Sequence, residues 1–103
     1  MKKILLSSDD KMKMYLVPDD VADNLQEYCM YFGFDWILND PRAEKYHVIT
    51  PSGTKGVMFT ESDFIDYLNA YVFPNEKSTL VAPMDFYDYE IPEKYKEYPS
   101  FNF

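Results

Sequence analysis

The chain is 103 residues long and carries a formal net charge of −8, from ten basic and eighteen acidic residues. That balance argues against direct nucleic-acid binding, because phosphate contacts need clustered Lys and Arg, and an anionic membrane surface would repel it. Hydrophobic residues make up 47% and aromatics 18%, with ten Tyr and eight Phe, so one domain with a real core is expected, with tyrosine left over for a contact surface.

Cys29 is the single cysteine, so an internal disulfide is ruled out and a reducing compartment is expected. The first ten residues, MKKILLSSDD, hold too short an apolar run for a signal peptide, and no run approaches membrane-spanning length. The chain therefore reads as cytoplasmic.

Lys3 to Ser7 is a short apolar run and reads as a strand. Ser8-Asp9-Asp10 is a turn cluster. Lys11 to Leu16 then alternates, with Met12, Met14 and Leu16 on one face and Lys11, Lys13 and Tyr15 on the other, the period of a half-buried strand. The stretch the rest must serve is Val17 to Leu38. Val21, Leu25, Tyr28, Cys29, Phe32 and Trp36 recur at steps of three and four, which places them on one side of a helix of roughly 15–20 residues. Asp20, Asp23, Asn24, Glu27 and Tyr31 take the opposite side. Pro18 suits the first helical position. The helix ends either at Gly33 or at Asn39-Asp40-Pro41.

Asp40 with Pro41 reads as a capped single helical turn. Tyr46–Thr50 and Lys55–Phe59 flank Pro51-Ser52-Gly53, a hairpin signal. Thr60 is a natural N-cap with Asp63 three residues later, and Phe59 and Phe64 have the spacing of a hydrophobic staple. Phe64, Ile65, Leu68, Tyr71 and Val72 form the second apolar stripe; Asp63, Asp66, Tyr67 and Asn69 face away from it. Pro74 ends this helix near Val72. Ser78 to Ala82 reads as a last strand, and from Pro83 three prolines break up regular structure.

The order β-β-α-β-β-α-β reads as an α+β domain of residues 1–82, with two helices on one face of a small, mostly antiparallel sheet. Residues 83–103 read as an extended Tyr/Phe/Pro-rich tail, either lying on the domain through its aromatics or free until a partner binds it.

No motif for catalysis, metal or cofactor stands out. His47 has no neighbouring ligands at zinc spacing. Cys29 lies on the apolar stripe, where cysteine behaves as a small hydrophobe. Pro51 to Gly56 lacks phosphate-loop spacing, and Asp85, Asp88 and Glu90 lack the rhythm of a calcium loop. The chain therefore reads as non-enzymatic.

The charge distribution is the one uneven feature. Met14 to Pro41 holds six acids and no Lys or Arg; Gly56 to Glu76 holds four acids and no Lys or Arg. Each window contains one predicted helix. The expectation is a protein-binding module whose acidic, tyrosine-bearing helix surface, formed by Asp20, Asp23, Glu27, Tyr31, Asp63, Asp66 and Tyr67, meets a partner with a basic surface. Two alternatives fit the same features. One is an inhibitor that mimics nucleic-acid phosphates and blocks a basic nucleic-acid-binding protein, as phages and mobile elements encode. The other is a homo-oligomer that exchanges its tail between protomers.

Overall fold

The computed structural model describes all residues from Met1 to Phe103 as an α+β protein. A four-stranded mixed sheet has the order β5-β2-β1-β6, and a separate two-stranded ribbon pairs β3 with β4. The strands are β1 (Lys2–Ser7), β2 (Lys13–Val17), β3 (His47–Ile49), β4 (Lys55–Val57), β5 (Thr79–Pro83) and β6 (Ser100–Asn102). β1 runs antiparallel to β2 and β2 to β5, whereas β6 lies parallel to β1.

The first long helical stretch is segmented. α1 (Asp19–Asp23) and α2 (Leu25–Tyr31) meet at Asn24, whose φ of −131° leaves the helical region. The Asn24 side-chain amide donates to the Asp20 carbonyl at 3.1 Å, the local competition with the backbone that makes Asn a poor helix-interior residue. Pro18 sits at the N-cap position, one before the first helical position, with its carbonyl accepting from Val21 N–H. Gly33 does not stop the chain. A π-helical turn, Phe32–Trp36, carries it into the short α3 (Ile37–Asn39). Asp40 then accepts the Arg42 N–H at 2.8 Å and starts a 3-10 turn over Pro41–Tyr46.

α4 (Glu61–Tyr67) begins where Thr60 and Asp63 place it, with the Thr60 N–H donating to the Asp63 carboxylate at 2.8 Å. It too ends in a π turn, Leu68–Val72, closed by the Phe73 N–H donating to the Leu68 carbonyl at 2.8 Å. Gly53, with φ of +85°, makes the turn between β3 and β4, a left-handed conformation that favours glycine.

Both faces of the sheet are covered. Ile4, Leu6, Tyr15 and Val17 point to the helices and join Val21, Leu25, Cys29, Phe32, Trp36, Phe64 and Leu68 in the main core. Phe32 is its centre: fully buried, it lies 5.0–6.5 Å, centroid to centroid, from Trp36, Tyr46, Phe59, Phe64, Tyr67 and Phe103. Leu5, Met12 and Met14 point the other way, against Phe86 with Met84, Ile91, Tyr95 and Tyr98 around it. β2 is thus not half-buried as its alternation predicts. Tyr15, expected to face solvent, is 4% exposed, because the helices take its face while the C-terminal stretch takes the methionine face. That stretch is no loose arm here: it crosses the sheet, returns as β6, and sends Phe101 and Phe103 against the main core.

Candidate binding groove

The kinked pair α1–α2 presents one outward ladder. Asp20, Asn24, Glu27, Tyr28 and Tyr31 follow at helical steps, and Tyr67 of α4 stands beside them. Together these residues line an open groove of ≈ 540 Å³. The Tyr28 hydroxyl donates to the Asp20 carboxylate, and the Asn24 amide donates to the same group at 3.1 Å. Asp20 is thereby fixed in place by neutral donors.

Of the seven residues expected to form a contact surface, the fold brings four into this groove: Asp20, Glu27, Tyr31 and Tyr67. Asp23 is exposed and bound to the Lys2 ammonium at 2.7 Å. Asp63 is occupied at the start of α4, and Asp66 is exposed outside the groove. Tyr67 departs from expectation. It was placed on the outward side of its helix, yet it is only 5% exposed, with its ring 4.7 Å from Trp36 and 5.0 Å from Phe32. Three residues after Phe64, it falls close enough to the apolar stripe to be drawn into the aromatic core. Tyr71, assigned inward, is left at the rim with the Arg42 guanidinium 4.4 Å over its ring. Sequence reasoning missed Tyr28 and Asn24 as groove residues. The signal was there: Asp20, Asn24 and Tyr28 stand four apart, and polar groups at that spacing meet on a helix surface.

The electrostatics of the groove are acidic. Asp19 pairs with the N-terminal ammonium at 2.9 Å and Asp23 with Lys2, whereas Asp20 and Glu27 pair with no Lys or Arg. The nearby Arg42 is tied to Asp40 through two hydrogen bonds of 2.9 and 3.0 Å, and it holds that carboxyl down at about 2. Hydrogen bonding to Asp20, then burial and the charge of Asp20, push the Tyr28 phenol up to about 12. Burial, then the proximity of Tyr31, push Tyr67 up to about 12 as well.

A raised phenol pKa means that the folded state favours the protonated form. The associated stability is fully present below the unfolded value near 10 and is lost as pH rises through about 12. Absorbance titration is therefore expected to show two tyrosines, Tyr28 and Tyr67, ionising as late as about 12, with Tyr15 and Tyr46 also raised by burial. In Asp20→Asn one of the two should move back towards 10; an unchanged pair of late titrations would contradict the Tyr28–Asp20 bond.

Elsewhere the chemistry is sparse. No three His, Cys, Asp or Glu side chains gather as a metal site. His47 Nε2 lies 2.7 Å from the Ile37 carbonyl oxygen, and Cys29 is buried, which pushes its thiol up and away from the reactive thiolate. Asp85 pairs with Lys11 at 2.7 Å. A smaller cleft of ≈ 300 Å³ between Phe34, Phe59 and Phe103 is apolar and holds no charged group. No protein-family model, curated protein or solved structure matches the chain.

Proposed function

We propose that this chain is a non-enzymatic protein-binding module that docks a basic surface of its partner through the α1–α2 face. The observation that carries this reading is the groove itself. Two carboxylates without a cationic partner, Asp20 and Glu27, share an open surface with three tyrosines. Unpaired acids on an exposed face attract positive charge and speed encounter, and tyrosine adds contact area with little rotamer entropy to lose.

The test is paired capture. The wild-type chain at low salt is expected to retain a basic protein that elutes over roughly 100–300 mM salt, where exposed pairs are screened. Asp20→Asn/Glu27→Gln should lose that protein, while Asp35→Asn/Glu76→Gln, which removes the same charge elsewhere, should keep it. Equal capture by all three overturns the reading. Displacement of the captured protein by DNA or RNA would narrow the function to phosphate mimicry, with the same face standing in for a nucleic-acid backbone.

A further inference from the structure

We infer that the groove is a receptor for a single arginine side chain of the partner; this rests on the binding-module reading and specifies its recognition chemistry. The acids alone would not carry it. The second observation is Tyr67. It lines the groove, the residue is only 5% exposed, and its hydroxyl, which is open to the groove, has no hydrogen-bond partner within the protein. A hydroxyl on a buried ring, unpaired within the protein and open to an acidic groove, is placed to bond a polar group from outside.

The partners around it define that group. Tyr28 and Tyr31 supply aromatic surface, Asp20 and Glu27 supply acceptors, and the phenol oxygen of Tyr67 supplies a further acceptor below them. All three phenols line the one groove, and the proximity of Tyr31 raises Tyr67 while that of Tyr67 raises Tyr28. A planar cation with several divergent N–H donors satisfies acceptors at different heights while lying against rings. The guanidinium does this; an ammonium is a compact, strongly hydrated point charge and does not. The same corner of the protein already shows the mode, with Arg42 lying over Tyr71 and bidentate to Asp40. Because Asp40 neutralises Arg42, that cation does not occupy the role, and the groove carboxylates stay free for one from the partner.

The probe is N-acetyl-arginine methylamide, titrated into the isotopically labelled full chain and followed by amide chemical shifts. Saturable shifts confined to residues 20–31 and 67, with millimolar affinity as befits one side chain, are expected. The uncharged citrulline analogue should produce none. Asp20→Asn should abolish the shifts. Tyr67→Phe, which keeps the buried ring and removes only the hydroxyl, should weaken binding about fivefold, the effect of one net hydrogen bond. Shifts spread evenly over all exposed acids, equal binding of the citrulline analogue, equal binding of the lysine analogue, or an unaltered affinity in Tyr67→Phe would each overturn the assignment. Failure here with loss of partner capture in Asp20→Asn/Glu27→Gln would leave the module reading standing without an arginine pocket. Arginine binding with unchanged capture would do the reverse.

Discussion

Deleting residues 84–103 is expected to leave the protein unfolded. The stretch covers the sheet face made by Leu5, Met12 and Met14, and Phe86 is buried against all three. Tyr95 stacks on Phe86 at 5.3 Å between centroids, and Tyr98 follows at 6.2 Å from Tyr95. The backbone is stitched as well. Met12 N–H donates to the Phe86 carbonyl, Met84 N–H to the Met12 carbonyl and Leu5 N–H to the Pro99 carbonyl, each at 2.9 Å. Removal strips one whole sheet face of its cover, makes β1 an open edge, and takes Phe101 and Phe103 from the main core. Phe86→Ala alone is expected to cost about 3–5 kcal/mol, the range for truncating a buried phenylalanine. The total stability of a domain this size is of order 5–15 kcal/mol, so the full deletion exceeds what the fold has in reserve. Urea unfolding followed by near-ultraviolet circular dichroism reads both variants. A cooperative, native-like transition from the truncated chain would show that the segment is an appendage.

What was legible in the sequence was local. The stripe Val21–Leu25–Cys29–Phe32–Trp36 needs only helical periodicity, and all five side chains are buried. Thr60 with Asp63, Asp40 with Pro41, and the turn at Gly53 each depend on a few neighbouring residues, and each stands where its residues place it. What was hidden depends on contacts far apart in the chain. Alternation in β2 reports that one face is apolar. It cannot report that residues some 70 positions later cover that face while helices cover the other. Tyr67 illustrates the same limit at the site: its phase lies between the two sides of α4, and only the rings of Phe32 and Trp36 decide which way it leans. The π turns after α2 and α4 each admit an extra residue, a register change that apolar spacing at three and four does not signal. For the groove, the acidic ladder of α1–α2 was readable from composition and spacing, but which acids remain unpaired was not. That depends on Met1 and Lys2 coming back from β1 to occupy Asp19 and Asp23.

Lys13→Met is expected to destabilise the protein by about 3 kcal/mol, the scale for leaving one member of a buried ion pair without its partner. Glu61 is the member at risk. Its side chain is 4% exposed at the start of α4, and it accepts from the Lys13 ammonium and from the Ser8 hydroxyl at 2.5 Å, while its own N–H donates to Ser8 Oγ at 2.7 Å. The pair joins the β1–β2 turn to α4. Lys13 also reaches Asp10 at 3.1 Å, and the turn is tied to the C-terminal strand through Asn102, which accepts from the Asp9 N–H at 2.8 Å. Burial works against the charge on Lys13, but its hydrogen bonds to Glu61 and Asp10 outweigh burial and hold the ammonium above its ordinary range. A raised lysine pKa contributes stability that is fully present below the unfolded value near 10.4 and is lost as pH rises through the folded one. The difference in urea midpoint between wild type and Lys13→Met should therefore hold steady from pH 6 to 9, on the acid side of that value, and shrink above it. Lys13→Met/Glu61→Met removes both charges and should recover most of the loss, since two apolar side chains of similar length replace the pair without an orphan. If the double variant is as unstable as the single one, the loss comes from disrupted packing at the turn, and the buried charge is not its cause.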